Sequence, residues 1–319
     1  MCDAQNEVLF ERILSQQLAM VSFALKQDID YTKWDAVVLR DPSGLPYAES
    51  WVLDSICDNW LGLILNDYEA VCPLPIKKKY GLEYAYQPYP AQQLGIFSSR
   101  KLEQAEIEQL IQGIPKNIRF IDMFMKQDAF PDQLISDERI NLLLDLNHNY
   151  DQLHSRYKER HKRNLQSSVN SNLDYLIDIP ITQLLGLGKQ NLDLSFLDES
   201  AYARLKVLME KAIEIRRGFS VGAINGDGKL IGGVFMLKSE RRLIYLFSVS
   251  NEEGRKKRAM VGLVDHLIKT YANQAMVLDF EGSMVSGIKD FFLGFGSDEE
   301  NYLHIRQNRL PQFLKWLKG

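Results

Sequence analysis

The chain has 319 residues and a formal net charge of −4, from 38 lysines and arginines against 42 aspartates and glutamates. Its 45% hydrophobic and 25% charged content excludes a wholly disordered, collagen-like or disulfide-scaffolded protein. The slightly negative charge argues against a protein that coats nucleic acid over its whole surface, although a local basic groove remains allowed. A chain of this length buries a sizeable core without metal or disulfide staples.

The three cysteines, Cys2, Cys57 and Cys72, have no zinc-ligand spacing, and their odd number gives no disulfide framework. The five histidines also lack metal spacing. Acidic residues interrupt the N-terminal segment, and the apolar run Leu18–Leu25 is too short to span a bilayer. We therefore expect a soluble protein of a reducing compartment, the cytoplasm, with no stable membrane insertion and no metal.

Strand patterns dominate the first half, from about Trp34 to Leu146, and a single amphipathic helix interrupts them. The helix has an apolar stripe from Leu102 to Ile114, with Ser99 as a plausible N-cap and Gly113 as a stop. The predicted strands are Ala36–Leu39, Trp60–Leu65, Glu69–Leu74, Glu83–Tyr86, Leu94–Phe97, Ile118–Met123 and Arg139–Leu146.

A polar helix is predicted from about Tyr150 to Asn172, and its segment Arg156–Arg163 carries five basic residues and one acid. We place a domain boundary at this helix, which gives units 1–148 and 149–319. No linker rich in proline, glycine or serine separates them, so the two units are expected to pack together.

The second half predicts a helix, three antiparallel strands, a loop, a helix, a strand, a helix and a last strand. Asn225–Gly228 is a strong hairpin signal, and Gly186 with Gly188 is interpreted as a helix stop. Gly218 is expected to end the helix Tyr202–Ile213. The helix Met260–Tyr271 is expected to connect two parallel strands in a right-handed crossover. The predicted elements are Tyr202–Ile213, Phe219–Ile224, Leu230–Leu237, Leu243–Val249, the loop Ser250–Arg258, Met260–Tyr271, Met276–Phe280, Ile288–Phe295 and Tyr302–Ile305.

This order of elements is similar to the GNAT acyltransferase fold. The resemblance implies an acyl-donor site where the fourth strand separates from the fifth, with pyrophosphate held by backbone N–H groups at a helix N-terminus. The loop that matches is Asn251–Ala259. The residues implied in donor binding are Ser250, Asn251, Arg255, Lys256, Lys257, Arg258 and Ala259.

Four consecutive cations, Arg255–Arg258, stand at a helix start in this loop. They oppose the helix dipole but suit a bound polyanion. The other interpretation is a solvated basic helix start that Glu252 and Glu253 partly neutralise. The family loop has glycine where Arg258 stands, which puts the usual mode of coenzyme A binding in doubt.

Three segments resemble the Fem-type transferases, which carry two GNAT-like units in tandem. They are Pro73–Gly81 leading into Tyr86–Phe97, then Tyr157–Leu165, and then Leu278–Ser283 followed by Phe291–Gly296. The resemblance implies a mixed α/β fold of two tandem units, each a mixed sheet flanked by helices. It also implies transfer from acyl-CoA, or from aminoacyl-tRNA, to an amine on a small molecule or peptide. A helical hairpin typical of many Fem proteins is not evident, which weakens the tRNA alternative.

Such a reaction needs a base for the amine proton, donors for the oxyanion and alignment of two substrates. Asp279 and Glu281 end a strand beside the expected separation, and we expect only one of them to face the cleft. Glu281 is favoured as the general base, while Asp279 fits a structural role equally well. Tyr302 could donate to a leaving thiol or belong to the core. Ser283 fits an N-cap better than an acid or a nucleophile.

The segment around Tyr84 to Gln93 is rich in tyrosine and glutamine, and two prolines keep it from being a regular central strand. It suits the lining of a polar-substrate cleft between the units. The alternative is an edge strand with amphipathic tyrosines. The residues predicted to bind substrate are Tyr86, Gln87, Tyr89, Gln93 and Ser283.

Two rival hypotheses stand beside the transferase. One is a catalytically inactive module that kept the fold and binds a polar or peptidic ligand. The other is RNA binding through Arg156–Arg163 together with Arg255–Arg258. The sequence makes no prediction of oligomeric state.

Overall fold

The computed structural model describes residues 20–126, 130–131, 134–193, 199–282 and 286–310. It is a mixed α/β protein, as the sequence predicts, built on a 13-stranded sheet. The strands are β1 Val21–Leu25, β2 Trp60–Leu65, β3 Ala70–Lys79, β4 Leu82–Tyr86, β5 Phe97–Ser98, β6 Ile118–Lys126, β7 Ile135–Asp145, β8 Asp174–Ile177, β9 Gly218–Ile224, β10 Leu230–Lys238, β11 Arg242–Ser250, β12 Val277–Asp279 and β13 Asp298–Asn308. The helices are α1 Tyr31–Arg40, α2 Ser50–Ile56, α3 Gln104–Gln112, α4 Tyr150–Ser155, α5 Glu159–Val169, α6 Ile181–Asn191, α7 Glu199–Glu214, α8 Glu252–Lys256, α9 Ala259–Tyr271 and α10 Ser286–Leu293.

The two halves repeat one order of elements. In each half a strand and two helices precede three antiparallel strands. A helical connection then leads to a fourth strand, which pairs in parallel with the third. The strand order is β1-β2-β3-β4-β6-β13-β7-β12-β11-β10-β9-β8, with β5 beside β3. Counted inward from either edge, the strands of one half come in the same order as their counterparts in the other half. An approximate two-fold arrangement therefore relates the halves.

The halves exchange their last strands at the centre of the sheet. Strand β13 ends the second half in sequence, yet it lies between β6 and β7 of the first half. Strand β7 ends the first half and pairs with β12 of the second. The sheet is therefore continuous across both halves. The division at residue 148 stays a prediction.

The core also crosses between the halves. One apolar cluster contains Trp34 and Trp60 of the first half together with Leu208 and Phe235 of the second. Helix α2 packs against α7, its counterpart in the repeat. A second cluster lies under α9 and α10 against the other face of the sheet. Burial of apolar surface thus joins the halves as the sheet does.

Two predictions for the first half are wrong. Ala36–Leu39 is helical, because the Asp30 carboxylate accepts hydrogen bonds from the backbone N–H groups of Thr32 and Lys33 at 3.0 and 3.1 Å and starts α1. The predicted helix near Ser99 exists, but it begins after Glu103, which forms a reciprocal capping box with its own helix.

The polar helix predicted from Tyr150 is two helices, α4 and α5. At the break, the N–H of Lys158 donates to the Gly294 carbonyl at 2.9 Å, which ties the chain to the end of α10. The loop after β11 contains the short helix α8. The break between α4 and α5 is thus set by a contact distant in sequence, and the start of α8 by the Asn251 cap.

Glycines were also misinterpreted as helix stops in this half. Gly188 lies inside α6, where a Cβ would meet the Phe247 ring at 2.7 Å, so close packing explains it. Gly218 opens β9, and the reversal after α7 occurs at Arg216, which has a φ of +58°.

Two helical glycines make a matched test of this packing. A Cβ at Gly262 in α9 would overlap the hydroxyls of Tyr175 and Ser168, whereas a Cβ at Gly186 in α6 would meet nothing within 4 Å. We expect Gly262→Ala to lower the free energy of unfolding by about 1–3 kcal/mol through overpacking. Gly186→Ala should raise it by about 0.5–1 kcal/mol. Urea denaturation of both variants measures this, and equal effects would contradict it.

Candidate functional site

Strands β11 and β12 separate part-way along their length. They pair in parallel from Arg242 opposite Val277 to Ile244 opposite Asp279. Strand β11 then continues to Ser250, while the N–H of Phe280 turns to the Leu142 carbonyl on β7 at 2.9 Å. The six residues beyond Ile244 span about 20 Å. We call this separation, between residues 245–250 and residues 280–282, the β11/β12 opening.

A β-bulge and an aromatic cluster shape this opening. Phe235 pairs with Phe247 and Met236 with Tyr245, which leaves Leu246 as an extra residue in β11. On one face of the sheet Tyr245 packs against Phe292, with ring centroids 5.4 Å apart, and Phe292 stacks on Phe280 at 4.6 Å. These three rings are buried, so they close this face of the opening.

Glu281 lies at the end of β12, where the opening begins. Its backbone is left-handed, with a φ of +50°, a conformation that costs a residue other than glycine about 1–2 kcal/mol. Its N–H donates to Asp279 Oδ1 at 2.9 Å, and its carboxyl contacts the hydroxyl of Tyr47. Burial raises the pKa of Glu281 well above its usual range. Backbone strain and a perturbed carboxyl together are typical of a functional residue.

Asp279 is held in a buried ion pair. Its Oδ2 accepts from Arg242 Nη1 at 2.7 Å, and the two residues are 0% and 5% exposed. Arg242 Nε also donates to the Ser43 carbonyl at 2.9 Å. Glu281 lies beyond the last residue of β12 and has a left-handed backbone, so strand alternation does not place its side chain relative to that of Asp279. The two carboxyl groups differ because Arg242 forms an ion pair with the carboxylate of Asp279.

Tyr302 lies on the same face of the sheet. It is opposite Arg139 on β7, and Arg139, Asn141 and Leu143 share the face on which Asp279 pairs. Burial raises the pKa of Tyr302 to about 12, with the nearby charges of Glu281 and Asp279 acting in the same direction. The structure therefore brings the three predicted catalytic residues together.

The predicted donor loop caps the far end of β11. Asn251 Oδ1 accepts from the N–H of Gly254 at 2.8 Å and starts α8. Gly254 has no room for a side chain, because a Cβ would overlap the Ile231 carbonyl. Arg255 Nη1 donates to the Ser250 carbonyl at 2.7 Å. The loop is thus folded tightly against β10 and β11, with buried Ala259 opening α9.

The four cations of the loop differ in their surroundings. Lys256 pairs with Glu252 at 2.7 Å and Lys257 with Glu253 at 2.9 Å, as the solvated-helix interpretation expects. Arg258 forms no ion pair or side-chain hydrogen bond to the described residues. It is exposed at the N-cap of α9 with a φ of +55°, the conformation that glycine prefers. A glycine at this position would adopt the same backbone without strain.

The predicted substrate-binding segment closes the equivalent opening of the first half. Gln87 Oε1 accepts from the N–H of Phe124 at 3.0 Å, and Leu94 exchanges two backbone hydrogen bonds with β6. Gln93 is 2% exposed, Tyr89 is partly buried, and Tyr86 lies under the Lys77 ammonium at 4.6 Å. These side chains do not meet the Glu281 group. Ser283 lies outside the described residues.

Two site residues escaped the sequence analysis, Tyr47 and Arg242. Tyr47 lies in the 3-10 turn Pro46–Ala48, 234 residues from its partner Glu281. Arg242 directly precedes the predicted strand Leu243–Val249 and was given no role. The available signal for Arg242 was indirect, since a buried Asp279 requires a cation or several hydrogen-bond donors.

The basic segment Arg156–Arg163 is partly neutralised. Arg156 pairs with Asp298 at 2.8 Å and Lys162 with Glu159 at 2.9 Å. His161 is buried against Phe295, with ring centroids 4.7 Å apart. Part of this segment therefore serves the packing of α5 against α10.

Within the described ranges, no three histidines, cysteines, aspartates or glutamates are grouped to hold a metal ion. None of the helices described has both the length and the apolar character to cross a membrane.

The fold is similar to three solved structures. FemX has a TM-score of 0.65 at 12% identity, covering 91% of this chain and 98% of that one. A tandem GNAT protein from the clavulanic acid biosynthesis pathway has a TM-score of 0.54 at 11% identity, covering 92% and 100%. The C-terminal DUF2156 domain of an Agrobacterium fabrum protein has a TM-score of 0.56 at 9% identity, covering 90% and 94%.

These likenesses confirm the predicted fold of two tandem GNAT-like units and its resemblance to Fem-type proteins. At these low sequence identities the likenesses show the fold alone. A scan against family models found no match, and a search of curated proteins found none either.

The buried pair gives a direct test of the site's architecture. Asp279→Ala leaves the Arg242 guanidinium buried without its counter-charge, so we expect a loss of about 3–5 kcal/mol in the free energy of unfolding. As a control, Glu252→Ala breaks the exposed pair with Lys256 and should cost under about 1 kcal/mol. Urea denaturation measures both. A small effect of Asp279→Ala would mean that Arg242 finds other partners.

Proposed function

We propose that this chain transfers an acyl or aminoacyl group to an amine, with Glu281 as the general base. The observation that carries the proposal is Glu281 itself, a strained, half-buried glutamate with a perturbed carboxyl at the point where two parallel strands separate. Burial raises its pKa well above the ordinary value for a glutamate, which suits a base that must remove a proton from an ammonium or amine. The tandem GNAT-like fold supports the same class of reaction.

In the proposed step the amine nitrogen attacks the donor carbonyl. The C–N bond forms, and the C–S or C–O bond to the leaving group breaks. Glu281 accepts the amine proton, and Tyr302 donates a proton to the leaving thiolate or alkoxide and regains one from solvent. With a pKa of about 12, the phenol of Tyr302 is protonated at neutral pH and able to donate. Backbone N–H groups of β11 beyond Ile244, on the side without a strand partner, suit the oxyanion.

The donor class follows from the length of the β11/β12 opening. About 20 Å separates Ile244 from the loop at Ser250. This spacing favours a donor whose reactive carbonyl is joined to its phosphates by a long arm, as in acyl-CoA. An aminoacyl-tRNA is the alternative donor. Both belong to the cytoplasm, and the free thiols of Cys57 and Cys72 suit a reducing compartment.

The second candidate is a binding module that has lost activity. Two observations favour it: Tyr245, Phe280 and Phe292 fill one face of the opening, and Arg258 adds a side chain where phosphate approaches backbone in the family. Such a module would bind a polar or peptidic ligand without turnover.

Activity should depend on Glu281 in a pH-dependent way. With acetyl-, succinyl- or palmitoyl-CoA and a mixture of lysine, glucosamine and spermidine, we expect Glu281→Gln to reduce thiol release about 10²–10⁴-fold at neutral pH. In the native protein kcat/KM should rise as pH rises through the elevated pKa of Glu281, because the base must be ionised. The variant should lack this rise.

A matched control is Glu299→Gln, since Glu299 lies on the opposite face of β13 and pairs with Lys289. It should leave thiol release unchanged. Equal activity of Glu281→Gln and the native protein would refute the base. Thermal stabilisation by a CoA without release, together with no transfer from aminoacyl-tRNA, would favour the binding module.

Donor affinity should depend on Arg258 more than on Lys256. A ligand at 100 times its Kd adds about 2.7 kcal/mol of stability, a shift of a few degrees. With the CoA that gives this shift, Arg258→Ala should weaken binding about tenfold or more through loss of a charged hydrogen bond. Lys256→Ala should have little effect because its ammonium is paired. Arg258→Gly separates the two modes of binding: tighter binding indicates that backbone N–H groups hold the phosphate.

A further inference from the structure

The turn around Tyr47 is fixed firmly on the second half of the chain. Gly44 accepts at its carbonyl from the Ser239 hydroxyl at 2.7 Å, and Ser43 accepts from Arg242 Nε at 2.9 Å. Just after the turn, Glu49 Oε1 accepts from Arg217 Nη2 at 2.6 Å. These contacts lie before and after Tyr47, so its position relative to β12 is determined by the second half.

Tyr47 is fully buried, and its hydroxyl contacts the Glu281 carboxyl directly. The contacts form a closed ring. The Ser43 carbonyl accepts a hydrogen bond from Arg242, which pairs with Asp279. Asp279 accepts from the Glu281 N–H, and the Glu281 carboxyl contacts the Tyr47 hydroxyl, which closes the ring. Because Tyr47 follows Ser43 by only four residues, the ring holds both ends of the left-handed Glu281 residue, its backbone through Asp279 and its side chain through Tyr47.

We infer that Tyr47 is a positioning residue, contributed by the first half, that orients the Glu281 carboxyl and controls its protonation. The inference rests on the proposed role of Glu281 as the base. It makes the first half part of the catalytic device of the second, because the base would act only with Tyr47 seated against it.

Few other charged or titratable groups face Glu281. Asp279 lies beside it on β12, but Arg242 neutralises that carboxylate. Tyr302 and Glu300 on β13 and Arg139 on β7 share its face of the sheet. Burial of the carboxyl is what raises the pKa of Glu281. Tyr47 is the group in direct contact, and an O–H donated to a carboxylate stabilises the ionised form.

The test is a carboxyl ¹³C NMR titration of the full chain labelled with glutamate. The Glu281 resonance is identified by its absence from Glu281→Gln. We expect Tyr47→Phe to raise the titration midpoint of Glu281 by about one pH unit or more, since a hydrogen bond to the ionised form is lost. The matched control is Tyr157→Phe, which removes another buried tyrosine hydroxyl, donated to Asp265 at 3.0 Å. It should leave the Glu281 midpoint unchanged.

A midpoint unchanged in Tyr47→Phe, or moved equally by Tyr157→Phe, would overturn the inference. If Tyr47→Phe does not fold, 3-fluorotyrosine at position 47 replaces it, and its more acidic phenol should lower the midpoint. An unchanged midpoint there overturns the inference as well. The titration needs no turnover, so it separates the two proposals. Should Glu281 respond to Tyr47 while Glu281→Gln retains full transfer, the proposed function fails and the role of Tyr47 stands.

Discussion

The buried ion pair between Arg242 and Asp279 is the constraint on which the site depends. Arg242 begins the parallel pairing between β11 and β12 and Asp279 ends it, so the ion pair spans the paired residues immediately before the strands separate. A buried pair adds little net stability, but loss of one partner is costly, and its value is therefore geometric. Asp279 accepts a hydrogen bond from the Glu281 backbone, and Arg242 donates one to the Ser43 carbonyl, four residues before Tyr47. One pair thus positions both sides of the candidate base.

The exchange of β7 and β13 makes this geometry possible. Glu281 follows β12, which pairs with β7 of the first half, and Tyr302 belongs to β13, which pairs with β7 on its other edge. Strand β7 therefore sets the spacing between the proposed base and the proposed acid. If each half kept its own last strand, the two side chains would not share this template. A rigid central strand is a better support for such a pair than a loop.

Periodicity predicted the parts of the fold that local pattern controls. The stripe from Met260 to Tyr271 became α9, and the apolar run Trp60–Leu65 became β2. Helix α1 was missed because its apolar β-branched residues resemble a strand, while its start depends on the Asp30 cap. In the site, Glu281 was found because it ends a strand before a glycine. Tyr47 and Arg242 were not found, because their roles come from contacts that sequence spacing does not record.

The repeat of elements gives both halves an opening between parallel strands, yet the two are used differently. In the first half Gln87 and Leu94 bind the backbone of β6 where its pairing with β4 ends, so the chain itself occupies the gap. In the second half the described residues leave the edge of β11 that faces β12 unpaired beyond Ile244, and Arg258 stands at the far end of the loop that follows. The filled half supplies Tyr47 and the turn that fixes it. Since a self-paired opening cannot admit a donor, any donor with the proposed geometry is directed to the second half alone.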